Sequence, residues 1–99
     1  VVSYTDPGYP CYKNMLRFLN LESVSIPVNP ESGFKISLRD LKTEVLILNS
    51  PSNPTGAIYS KKELEKLSEK VFLVSDEIYH GLVYSGKAPS VLEVTDRAV

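Results

Sequence analysis

Along the chain, short continuous apolar runs alternate with longer stretches in which apolar residues return every three or four positions. "VVSY" reads as the end of a strand. The turn-forming "DPGYP" closes it before "CYKNMLRFLN", where Tyr12, Met15, Leu16 and Leu19 recur at helical spacing and predict a helix of about ten residues. "ESVSIPVN" puts Val24, Ile26 and Val28 on one face of a strand, and Pro27, which has no N–H for a ladder, assigns that strand to an edge or a bulge. After the loop "NPESG", Ser37 as N-cap predicts a short helix over "LRDLKT". The runs "VLIL" (residues 45–48) and "VFLV" (residues 71–74) read as strands covered on both faces. Between them, Ser60 and Glu63 form a capping box for "KKELEKLSEK", whose Leu64, Leu67 and Val71 make one apolar stripe. From Val83 to Arg97 the pattern has no clear period.

Strand, helix, strand, with both strands apolar throughout, is the pattern of parallel βαβ units, and it predicts an α/β three-layer sandwich around a mostly parallel sheet. In such sheets ligands collect beyond the carboxyl ends of the strands. With 99 residues the chain makes at most a single domain, large enough for one core and too small for a deep two-domain cleft. At 42% hydrophobic, 23% charged and a net charge of -1, its composition fits an ordinary globular protein and speaks against nucleic-acid or membrane-surface binding. The single cysteine, Cys11, has no internal disulfide partner and favours a reducing compartment, the cytoplasm. No apolar run reaches the length of a membrane span, and the opening "VVSYTDPGYP" has neither region of a signal peptide.

Polar constellations follow both apolar strands: "SPSNPTG" after the first and "SDEIY" after the second. Neither phosphate fingerprint, G-x-G-x-x-G or G-x-x-x-x-G-K-[ST], occurs, which argues against a nucleotide. A metal fits no better, since one Cys and one His cannot complete a zinc set and the adjacent Asp76 and Glu77 side chains diverge. The candidates that remain are an amide, a carboxylate and two phenols: Asn53, Asp76, Tyr79 and Tyr9. A pyridine ring carrying a phenolic oxygen would use all four. Plain alternatives exist without wider context: Asn53 as a turn residue before proline, Asp76 as a cap, and Tyr9, like Tyr12, as a core or rim aromatic.

"DPGYPCY", "NPTG" and "SDEIY", in that order, resemble the core of the large domain in fold-type I pyridoxal phosphate enzymes, specifically the class I/II aminotransferases. The likeness runs from "DPGYP" to about "HGLVY". It implies that residues 1–99 are a single partial domain, the middle of that large domain, holding one wall of the site for pyridoxal 5'-phosphate. It further implies that Asp76 pairs with the pyridine nitrogen, that Asn53 and Tyr79 hydrogen-bond the phenolic oxygen, and that Tyr9 stacks on the ring. Pro7 and Pro54 match positions that are often cis in the family. The family's Schiff-base lysine, in an S-x-x-K pattern, would lie beyond Val99, so no catalytic residue is assigned within the chain. The isolated chain is expected to be inactive and to hold the cofactor weakly. Amino acid and 2-oxo acid substrates are implied, as is a homodimer or other self-association. A lyase or acyltransferase of the same fold, or a non-catalytic stand-alone fragment, is the alternative. The interval from Asn53 to Asp76 is shorter than the family usually shows, by more than a turn of helix at about 3.6 residues per turn.

Overall fold

Four five-residue strands build one all-parallel sheet: β1 (Val2–Asp6), β2 (Ser23–Pro27), β3 (Val45–Asn49) and β4 (Phe72–Asp76), in the order β2-β1-β3-β4. The computed structural model describes all residues, Val1–Val99. Helix α1 (Cys11–Phe18) connects β1 to β2, and helix α2 (Lys61–Ser68) connects β3 to β4. The two crossovers run in opposite directions along the sheet, so connections of one hand put their helices on opposite faces. The core divides accordingly. Tyr4, Tyr12, Leu16 and Ile47 pack under α1. Leu46, Leu48, Leu64, Leu67 and Leu73 pack under α2, joined by Ile26, Ile36, Tyr59 and Val91. Within β3, Ile47 points one way and its neighbours Leu46 and Leu48 the other, so the strand is covered on both faces as its sequence predicts.

Pro27 closes β2, an edge strand, where a missing N–H costs nothing to the ladder. Helix α1 is shorter than the pattern predicts because it ends in a Schellman motif. Asn20 takes the left-handed conformation (φ 57°), its N–H donates to Arg17 O and that of Leu21 donates to Leu16 O. The capping box of α2 is present, with Ser60 Oγ accepting from Glu63 N and Glu63 Oε2 accepting from Ser60 N. Between Asn53 and Asp76 the crossover is made with the two turns of α2 and leads almost directly into β4. The last residues lie along β4, where Ala98 bridges Leu73 in parallel and Ser75 N donates to Val99 O.

Two expectations are corrected. Residues 38–43 form no helix; Leu38–Asp40 make a turn in which Asp40 N donates to Ser37 O. Six residues cannot sustain a helix without strong tertiary support, and Thr43 is drawn toward the sheet, donating to Ser3 Oγ at 2.7 Å. Strand β4 is covered on one face only: Leu73 is fully buried, whereas Phe72 and Val74 are more than a third exposed, because α1 packs on β1 and β2, meets β3 only at Ile47, and does not reach them. Similarly, Val24 is half exposed although Ile26 and Val28, on the same face of the chain, are buried.

Candidate active site

The crossovers diverge from β1 and β3, which makes the gap between those strands the switch point of the sheet. They pair only at Val2 and Ser3 with Val45 and Leu46, then separate toward their carboxyl ends. The turn after β1, the loop after β3 and the end of β4 surround the opening. Each is fixed locally. A Cβ on Gly8 would stand 2.3 Å from Thr5 O, so the "DPGYP" turn folds tightly against β1 only with glycine there. After β3, Ser52 N donates to Ala57 O, Gly56 N donates to Ser52 O, and Gly56 adopts the left-handed conformation (φ 72°). Buried Ser50 Oγ accepts from Tyr59 N at 3.0 Å. The Asp6-Pro7, Ser50-Pro51 and Asn53-Pro54 bonds are cis, the first and third at the prolines singled out in the sequence.

A cavity of about 110 Å³ opens here, lined by Tyr9, Asn49, Asn53, Asp76, Ile78 and Tyr79. All four residues singled out in the sequence therefore face one space. Its volume is of the order that holds a single aromatic ring. Asp76 Oδ2 accepts a short hydrogen bond from the Tyr12 hydroxyl, and Oδ1 accepts from Ile78 N at 3.2 Å. A carboxylate offers about four lone-pair sites, so Asp76 keeps acceptor capacity toward the cavity. Burial, and then the bond to Asp76, raise the Tyr12 phenol well above its ordinary pKa, so Tyr12 stays a donor. Tyr9 stands edge-on to Tyr12 with ring centroids 5.5 Å apart. The neighbouring Cys11 side chain raises the Tyr9 phenol above 10.0, with smaller contributions from Tyr79 and Asp76. Asn53 is held by its backbone N–H, which leaves its carboxamide available. A larger hollow of about 340 Å³ lies across Asn53 and Tyr79, walled by Pro51, Pro54, Ile58, Leu82 and Tyr84. It has no charged group, whereas the smaller cavity has Asp76.

Sequence reasoning left two residues out of the site. Tyr12 reads as one position of a helical stripe, and its hydroxyl reaches a residue 64 positions away. Asn49 is the one polar residue ending the apolar run of β3, directly before "SPSNPTG", and that placement is the signal that could have marked it. Glu77, beside Asp76, faces away and ties the tail to the sheet, accepting from Ser75 Oγ and Val91 N. No lysine lines the cavity; Lys87 lies near Ser60, His80 and Glu93.

A parallel α/β unit with a ring-sized polar cradle at its switch point has its cavity where open α/β sheets bind ligands. The family model for aminotransferase class I and II matches residues 1–98, and the chain belongs to that family. Members of the family use pyridoxal phosphate. Among relatives, the chain is 45% identical over 89 residues to (5-formylfuran-3-yl)methyl phosphate transaminase of Methanocaldococcus jannaschii, covering 89% of this chain and 24% of that protein. It is 39% identical to valine–pyruvate aminotransferase of Mycobacterium tuberculosis, covering 86% and 24%. Among solved structures, an aminotransferase from Mycobacterium tuberculosis superposes with a TM-score of 0.86 at 35% identity, over 98% of this chain and 30% of that one. A single mutant of Thermus thermophilus aspartate aminotransferase gives 0.88 at 35%, over 98% and 28%. The chain thus spans about a quarter of the length of the curated relatives it matches.

Proposed function

We propose that residues 1–99 form a single partial domain, the middle of an aminotransferase large domain, and one wall of a pyridoxal phosphate site. The parent protein moves an amino group between an amino acid and a 2-oxo acid. The observation that carries this reading is the convergence of Tyr9, Asn53, Asp76 and Tyr79 on one ring-sized cavity at the carboxyl ends of the strands. When bound, the cofactor supplies a protonated pyridine ring that takes up the electron pair left on an amino acid's α-carbon. The chain's residues have separable tasks. Asp76, fixed by Tyr12 and Ile78 N, holds a proton on the ring nitrogen through its negative charge. Asn53 and Tyr79 donate to the phenolic oxygen. Tyr9 covers a ring face, a stack worth about 0.5–1.5 kcal/mol beyond the area it buries.

The relatives named above are transaminases, which leaves the lyase and acyltransferase alternatives without support. Cys11 is free and exposed, in keeping with a cytoplasmic protein, and no helix is long and apolar enough to cross a membrane. With no lysine at the cavity, the 99-residue chain lacks both a covalent anchor and a general base. It is expected to show no turnover of any amino acid with 2-oxoglutarate. The decisive experiment is to read the encoding frame past Val99: an S-x-x-K stretch a few tens of residues after Asp76 is expected. Lysine-dependent turnover by the 99 residues alone, or a continuation without that stretch, would overturn the assignment.

A further inference from the structure

Asn49 is the last residue of β3 and is paired in register with Asp76, the last residue of β4. It is 7% exposed, and both polar atoms of its side chain are engaged. Nδ2 donates to Asp76 O at 2.9 Å, and Oδ1 accepts from Asn53 N at 2.7 Å. One rigid amide therefore joins the backbones of the two residues whose side chains face the cavity from neighbouring strand ends. Without it, the Asn53 N–H, half-buried in a loop, would have no acceptor, while Asp76 O would keep only its 3.2 Å bond from Ser50 N. The residue type follows from the geometry: the clamp needs a donor and an acceptor on one short planar group, which asparagine alone supplies at this length. Aspartate would keep the acceptor and lose the donor.

We propose that Asn49 is the positioning residue of this site, setting the separation of Asn53 and Asp76 through their backbones so that both meet one ring. The proposal rests on the cofactor reading, and the test separates the two. In the 99-residue protein, exchange of the Asn53 backbone amide is followed by NMR, and pyridoxamine 5'-phosphate at millimolar concentration is titrated while Asn53, Asp76 and Tyr79 shifts are recorded. Asn49→Ala is expected to speed Asn53 amide exchange at least about tenfold and to weaken the ligand by a similar factor, with Leu46 and Leu73 amides still protected. Asn49→Asp is expected to keep Asn53 protected and to weaken the ligand several-fold. Unchanged Asn53 exchange in Asn49→Ala overturns the clamp, and faster exchange with unchanged affinity shows a loop tie without a role in the site, which also overturns it. Should Asn49→Ala fail to fold, Asn49→Asp decides: loss of Asn53 protection or undiminished affinity overturns the proposal. A wild-type protein whose three site residues ignore the ligand sinks the cofactor reading, and with it the positioning role, even where the exchange results hold.

Discussion

At the scale of single residues, phenols and carboxyls show how placement separates chemistry from scaffolding. Tyr12 and Tyr59 are both buried. Tyr12 donates to Asp76 and so serves the site, whereas Tyr59 accepts from Ile36 N at 2.8 Å and pins the loop before β3. Burial pushes the Tyr59 phenol up to about 12 from 10.0, outweighing the backbone bond that favours its ionised form. A raised pKa in the folded state gives stability that is complete below pH 10 and lost as pH rises through 12. Two units correspond to about 2–3 kcal/mol. Denaturant midpoints are therefore expected to fall between pH 10 and 12, and Tyr59→Phe to flatten that fall. Asp76 and Tyr79 call for a kinetic test in the cofactor-loaded parent protein, which is expected to supply the lysine that the 99 residues lack. Asp76→Ala is expected to slow α-proton transfer on the order of a hundredfold or more, with part of the rate kept in Asp76→Glu. Tyr79→Phe should leave that step nearly intact and raise the pH at which the bound cofactor's absorbance changes. Single-turnover absorbance and a spectrophotometric titration read both, and an unaffected step in Asp76→Ala would break the assignment of its role.

At the scale of elements, α2 shows which features are legible in sequence. Its start is written in two residues three positions apart, Ser60 and Glu63, and its buried face in the period of Leu64 and Leu67, so local chemistry suffices to find both. Eight residues are too few for a helix to persist on propensity, which makes the cap important. Ser60→Ala is expected to cost about 1 kcal/mol in urea unfolding. Glu63 also holds Lys35 at 2.9 Å; burial opposes its charge, but the bonds from Ser60 and Lys35 prevail and lower its pKa. Its contribution is present above pH 4.5 and lost as pH falls through the lowered value, so Glu63→Gln should flatten the loss of stability over that range. The expected helix at 38–43 fails for a non-local reason, since Thr43 has a partner on Ser3, 40 positions away. The same distinction governs the site. Asn53, Asp76 and Tyr79 sit in recognisable motifs, but the Tyr12 hydroxyl and the Asn49 amide gain their roles only through strand pairing and helix placement, which no periodicity reveals.

At the scale of the whole molecule, what the sheet leaves uncovered bears on association. Phe72 and Val74 line the open face of β4, and Ile78, Leu82 and Tyr84 are almost wholly on the surface beyond it. Phe18 is 89% exposed at the end of α1, with Leu19 and Leu21 half exposed beside it. Strand β2 is an unpaired edge, and the short segment ending at Val99 is the other. Scattered apolar residues are ordinary on a protein surface, but apolar faces combined with open strand edges favour pairing between chains. A net charge of -1 offers little repulsion to prevent it. The 99-residue protein is therefore expected to self-associate at micromolar concentration. Sedimentation velocity should show the mean mass rising with concentration. Val74→Lys together with Phe72→Lys, which place charge on the open face of β4 while leaving buried Leu73 in place, should shift the distribution toward monomer. A sharp monomer boundary across the concentration range would show that these faces remain solvated and that the four-stranded sheet is self-sufficient.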